Sequence, residues 1–311
     1  MKPSLNFPAA SGATQLPAAD LVAALAVIII WGLNFVAMKF SLRDFTPFQL
    51  GATRYVFAVL PLIFFIRRPQ LSWFWLVASG LAQLGQFGLL FVALQIGMTS
   101  ALASVLMQTQ VFFTTLLGFV LLHERISPPM RGGLVLAALG LACFAVNSVA
   151  GGVATTITLA SLALNLGAAA MWATSNIVAR KAQQAQPDFD ALQFVVWMSL
   201  VPILPFAAMA WWFEPVATRW QWTQAGLTAW LSVAYLGWFA TIAAYALWTG
   251  LLKRHSASRV APFSLGVPVV GLVAGISVLG ETVSAWQWAG SLCVISALAV
   301  VMLWGRRVRP G

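Results

Sequence analysis

The sequence predicts an all-α polytopic membrane protein, with ten transmembrane helices in two inverted five-helix repeats. Three observations carry that prediction. Of the 311 residues, 61% are hydrophobic and only 8% are charged, whereas a water-soluble domain is about half apolar and about a quarter charged. The core of the first apolar stretch, WGLNFVAMKF from Trp31 to Phe40, is written again as WATSNIVARKA from Trp172 to Ala182. Lysine and arginine gather at alternate ends of the apolar runs.

A membrane-crossing helix needs roughly 20 mostly apolar residues. Ten such runs lie near 20–39, 46–66, 72–94, 99–122, 129–148, 157–180, 190–212, 224–250, 257–279 and 284–305, and are called spans 1 to 10. They are continuous rather than alternating, which indicates helices and not a barrel. Residues 1–19, with Pro3, Pro8 and Pro17, read as a cytoplasmic tail ahead of an uncleaved first span.

Span 1 holds Trp31, Asn34 and Met38 at helical spacing. Span 2 begins after Pro47, carries Arg54 and ends at Arg67 and Arg68. Span 3 places Gln83 and Gln86 on one face, and span 4 adds Ser104, Gln108 and Thr115 before closing at His123-Glu124-Arg125. In span 5, Gly133, Ala137 and Gly140 read as a close-packing face. The first repeat covers 20–148, the linker 149–156, the second repeat 157–305, and a basic tail 306–311.

In the second repeat, span 6 carries Asn165, Trp172 and Asn176 on one face. Trp31 matches Trp172, Lys39 matches Arg180 and Pro61 matches Pro202 at an offset of 141. The offset grows to 157 where Glu124 meets Glu281 and Gly133 meets Gly290, so the second copy holds an insertion, placed at Trp211 to Gln224. Span 8 lines up Tyr235, Trp238, Tyr245 and Thr249 at the α-helical period. Span 9 contains Pro262, Gly266, Pro268 and Gly271, whereas span 4 has glutamines and no proline there, so a shared bend is not predicted. Span 10 repeats the small-residue face at Gly290, Cys293 and Ala297.

With the N-terminus inside, thirteen Lys and Arg fall on the inner side and only Lys39, Arg43 and Arg219 on the outer side. Both termini are then cytoplasmic. Five helices per copy make the second copy inverted, which puts Lys39 and Arg180 on opposite sides. Duplication of this kind marks a transporter whose site lies between the repeats.

These residues resemble the EamA-type carriers of the drug/metabolite transporter superfamily. The likeness rests on Pro47 and Arg54 in span 2, and on Glu124 and Glu281 closing spans 4 and 9 ahead of a helix that begins with a glycine. Within that superfamily the chain looks most like the YddG-type exporters of aromatic and other neutral amino acids. The resemblance implies an exporter working by alternating access in the bacterial inner membrane.

There is no GxxxxGK[ST] loop, no HExxH, no cysteine cluster and no Ser/His/Asp set. No catalytic residue, metal or cofactor is expected. The net charge of +10 sits in pairs at span ends, which marks topology and not nucleic-acid binding. The expected partners are a small-molecule substrate and membrane lipid, with the chain acting as a monomer. No carboxylate falls mid-span, which favours gradient-driven transport without proton coupling. A multidrug or nucleoside-like exporter with proton coupling is the alternative, and a membrane enzyme or flippase acting on a lipid-linked substrate is the alternative of another class.

The candidate substrate-binding residues are Trp31, Asn34, Arg54, Gln83, Gln86, Gln108, Trp172, Asn176, Tyr235, Trp238 and Tyr245. Amides and indoles around a cavity suit a small zwitterion with an apolar or aromatic side chain. Each amide has a plain reading as a bond between helices. Arg54 has two readings as well: a cation meeting a substrate carboxylate, or a side chain reaching outward to the membrane surface.

Overall fold

The computed structural model describes residues 16–149, 157–255 and 257–304. The tail through residue 15, the linker 150–156 and the basic tail 306–311 lie outside the described residues. All regular structure among the described residues is helical. Among the described residues, nine helices are long and apolar enough to cross a membrane.

Spans 1, 3, 5 and 6 are continuous α-helices, Ala18–Ser41, Trp73–Gln95, Pro128–Val149 and Leu159–Ala185. Span 2 is shorter than its sequence run. A capping box of Thr46 and Gln49 starts it, its α-helix is Pro47–Val59, and only a 3₁₀ turn, Leu62–Phe64, follows. Pro61 has no amide hydrogen to continue the helix, and it holds Leu60 extended at φ −90°, ψ 137°. Pro202, its repeat counterpart, interrupts span 7 at the matching place, between Ala191–Met198 and Ile203–Phe213.

Spans 4 and 9 are interrupted alike, although only span 9 has prolines. Span 4 runs Ser100–Leu106, a 3₁₀ turn Met107–Thr109, then Gln110–Leu122. Span 9 runs Ala257–Val260, a 3₁₀ stretch Ala261–Leu265, then Gly266–Leu279. A hydroxyl supports each break by donating to the carbonyl three residues back: Thr109 to Leu106 at 2.7 Å, and Ser264 to Ala261 at 2.7 Å. Span 8 is Leu227–Ala234, a π-helical stretch Tyr235–Ala243, and Ala244–Arg254. Span 10 is Ala285–Ala299 with π turns Val300–Trp304.

The packing repeats under exchange of the two halves. Span 6 lies on spans 3 and 4, and its counterpart span 1 lies on spans 8 and 9; spans 2 and 7, spans 5 and 10, and spans 4 and 9 pack as mutual pairs. A Cβ on Gly140 would come within 2.9 Å of the Gly290 carbonyl oxygen, and one on Gly290 equally close to that of Gly140, so these helices touch backbone to backbone.

Alternating spans divide the bundle into two ends. One holds Arg67, Arg68, Arg125, Arg131, Arg180, Lys181, Arg254 and Arg259 and is the basic end; the other holds Lys39, Arg43 and Arg219 and is the far end. At the far end the segment after span 7 forms two 3₁₀ turns, Val216–Thr218 and Gln221–Gln224. It folds over the start of span 2, where Glu214 accepts from the Thr46 hydroxyl and, at 3.1 Å, from the Phe48 amide.

Candidate functional site

A cavity of about 320 Å³ lies where the two repeats meet, lined from spans 1, 2, 3, 4, 6, 8, 9 and 10. Eight of the residues singled out in the sequence reach it: Trp31, Asn34, Arg54, Gln86, Gln108, Trp172, Asn176 and Tyr245.

Arg54 does not reach outward. It is 3% exposed, with its guanidinium carbon 3.8 Å from the centre of the Phe87 ring and Nη2 donating to the Thr241 hydroxyl at 3.2 Å. Its Nε and Nη1 are buried with no acceptor, and no aspartate or glutamate lines the cavity. An isolated cation in such a place is costly unless something of opposite charge meets it. Two acceptors on the same wall also lack donors, Asn34 Oδ1 and Gln86 Oε1.

The aromatic wall is built around Trp31. Its Nε1 donates to the Ala240 carbonyl at 3.0 Å, and its ring lies 5.5 Å from those of Tyr245 and Trp248. Ala240 and Thr241 belong to the π stretch of span 8, whose wide turns leave backbone groups for side chains of other spans. On the opposite wall Asn176 donates to Gln110 Oε1 at 2.8 Å and to the Thr114 hydroxyl at 3.4 Å. Gln108 donates to the Ser264 carbonyl at 3.3 Å, tying the two interrupted spans together.

Three predicted residues stand away from the cavity. Gln83 lies behind its wall, accepting from the Tyr55 hydroxyl at 3.4 Å. Tyr235 donates to the Ile30 carbonyl at 2.7 Å, and Trp238, 44% exposed, donates to the Leu60 carbonyl at 2.9 Å on the outside of the bundle. For Tyr235 and Trp238 the cause is the π stretch. An α-helical period carried through 235–243 assigns the wrong face, and the positions that reach the cavity are Ala240, Tyr245 and Trp248. Trp248 follows Tyr245 by one turn of the α-helix Ala244–Arg254, so the period admits it beside Thr249. Phe87 and Gln110 were legible only as neighbours of Gln86 and Gln108.

Every residue of span 4 from Ser100 to Thr109 is buried, whereas most from Gln110 to Leu121 are partly or fully exposed. A second hollow of about 200 Å³, lined by Thr114, Thr115, Glu124, Met130 and Arg180, lies beside that more exposed stretch of span 4.

The EamA-like transporter family matches twice, over residues 19–146 and 159–303. The chain belongs to that family. A Salmonella typhimurium protein described as a probable amino-acid metabolite efflux pump is 38% identical over 92% of this chain and 95% of its own length. An Escherichia coli protein with the same description is 34% identical over 94% and 98%. An uncharacterised transporter of Archaeoglobus fulgidus is 27% identical over 88% and 95%. One solved crystal structure, 19% identical, superposes with a TM-score of 0.62 over 95% of this chain and all of its own, a likeness of fold. The protein is therefore a multi-pass membrane transporter of the drug/metabolite superfamily and not an enzyme.

Proposed function

We propose that this EamA-like transporter exports neutral amino acids, aromatic ones included, and closely related carboxylated metabolites across the bacterial inner membrane by alternating access. The observation that carries the reading is Arg54: a buried guanidinium with two unpartnered nitrogens, facing a cavity that supplies no counter-ion. A substrate carboxylate would supply one, in the forked geometry that guanidinium favours. Asn34 Oδ1 and Gln86 Oε1 would accept from the substrate ammonium, and the indoles of Trp31, Trp172 and Trp248 would hold its side chain. The efflux-pump descriptions of the Salmonella and Escherichia relatives support the direction and the substrate class.

In this reading the repeats 20–148 and 157–305 are the moving units, one chain suffices because the cavity is complete within it, and the basic end faces the cytoplasm. Transport runs down the substrate's own gradient, since no carboxylate lines the cavity to relay a proton.

The test is flux of labelled substrates in proteoliposomes. Losing a charge-assisted bond worth about 1.5–3 kcal/mol, Arg54→Gln should lower amino-acid transport about tenfold to a hundredfold. It should leave an amine lacking the carboxylate little changed. An equal loss for both compounds, or uphill accumulation driven by a pH difference alone, would overturn the proposal.

A further inference from the structure

The C-terminal ends of spans 4 and 9 are built alike down to single residues. His123 and Gly280 adopt the left-handed conformation at φ 55° and 66°, and the amides of Glu124 and Glu281 each return to a glycine carbonyl, Gly118 and Gly275, at 3.2 Å. This is a helix stop that places an acidic side chain just beyond the last turn. The two carboxylates nevertheless have different partners.

At the far end Glu281 reaches across to the other repeat. It accepts from the Ser100 amide at 2.7 Å, the Ser100 hydroxyl at 3.0 Å and the Ala101 amide at 2.8 Å, so the acidic side chain seats on the first turn of span 4. There the helices touch: a Cβ on Gly275 would lie 2.8 Å from the Ala101 amide nitrogen. At the basic end Glu124 holds Arg180 at 2.6 Å, with both side chains nearly half exposed. A Cβ on Gly118 would have Glu124 and Arg180 as its nearest neighbours. Arg180 is the repeat counterpart of Lys39. At the far end Lys39 has no ion pair among the described residues; it donates to the Leu94 carbonyl at 2.7 Å, within electrostatic reach of Glu281.

We propose that Glu281 and Glu124 are a pair of gate latches seen here in opposite positions, Glu281 shut across the repeat interface and Glu124 released onto Arg180. Opening of the far end transfers Glu281 from the Ser100 and Ala101 amides to Lys39. The same exchange in reverse frees Glu124 from Arg180 as the basic end closes. Both residues are positioning groups: neither lines the substrate cavity, and each acts by setting which end is open. The inference is independent of the substrate assigned above.

The gate can be read in whole protein in proteoliposomes, with Cys143 and Cys293 replaced by serine. Met98, fully buried beneath the far end, becomes the reporter as Met98→Cys, labelled by a membrane-impermeant maleimide. Glu281→Gln should raise its labelling rate about tenfold or more, and Ser100→Ala should raise it less. Lys39→Met, which removes the open-position partner, should lower labelling by about threefold and slow turnover with substrate affinity unchanged. Glu124→Gln should not raise it. Unchanged labelling in a monodisperse Glu281→Gln protein, or a rise with Lys39→Met, would overturn the proposal, and the Lys39→Met arm decides it if Glu281→Gln fails to fold.

Discussion

The two copies of the central motif occupy equivalent places and do different work. Trp31 and Trp172 both reach the cavity, yet Trp31 is fixed by the Ala240 carbonyl, Tyr245 and Trp248, while among the described residues no bond from the Trp172 indole locks it to the opposite repeat. Asn34 keeps an unbonded oxygen in a buried wall, whereas Asn176 is held by Gln110 and Thr114. The charge is one-sided as well: the position that matches Arg54 at an offset of 141 is Val195, buried and apolar. Duplication supplies a pseudo-symmetric frame, and departures from it give the first copy a buried cation at Arg54 where the second has Val195.

The largest test of that contrast is the asparagine pair. An ammonium bonded to Asn34 is a charged hydrogen bond worth about 1.5–3 kcal/mol, so Asn34→Leu should reduce amino-acid transport about tenfold or more. The deaminated analogue should be spared. Asn176→Leu removes a wall-to-wall bond to Gln110 and should slow both compounds alike. If flux assays show the same profile for the two variants, the copies are not functionally divided.

Much of this was legible from residue order alone. Apolar run lengths and alternating end charges located the spans, and the offset of 157 paired Glu124 with Glu281, which sit on matching helix stops, whereas the breaks at Pro61 and Pro202 do not follow from the continuous runs 46–66 and 190–212. What resisted was local backbone geometry. The 3₁₀ break in span 4 rests on the Thr109 hydroxyl and has no proline to announce it. The π stretch in span 8 shifts the side-chain register in a way that an α-helical period does not show, which displaced Tyr235 and Trp238. The burial of Arg54 was equally hidden, because its distance along span 2 allowed it to turn either way.

The tryptophans sharpen the contrast at a smaller scale. An aromatic contact is worth on the order of 1 kcal/mol beyond its area, so Trp172→Ala should shift selectivity against large apolar substrates by about fivefold with little effect on folding. Trp31→Ala should give a similar shift together with a lower melting temperature, since it also empties the space between Tyr245 and Trp248. Trp73, at the membrane interface beneath Arg68, is the control: Trp73→Ala should change neither. Uniform loss across all substrates would make both central indoles packing residues.

The smallest expected effect concerns how the copies start their second helices. Span 7 is capped by its own Asp190, which accepts from the Leu192 and Gln193 amides at 2.8 and 3.0 Å. Span 2 borrows Glu214 from the other repeat, and burial pushes that carboxyl above its usual value although the Thr46 and Phe48 bonds pull the other way. A carboxyl raised in the folded state binds its proton more tightly there than in the unfolded chain. Its contribution is therefore full below the unfolded value near 4.5 and is lost as pH rises through the folded one. Melting in detergent from about pH 4 to pH 7 should show a downward component, on the order of a degree or two, in wild type relative to Glu214→Gln, which keeps an acceptor but cannot ionise. Asp190→Asn should leave that component in place. A wild-type minus Glu214→Gln difference that is flat with pH would show that the inter-repeat cap is not desolvated, and that the two copies cap their helices on equal terms.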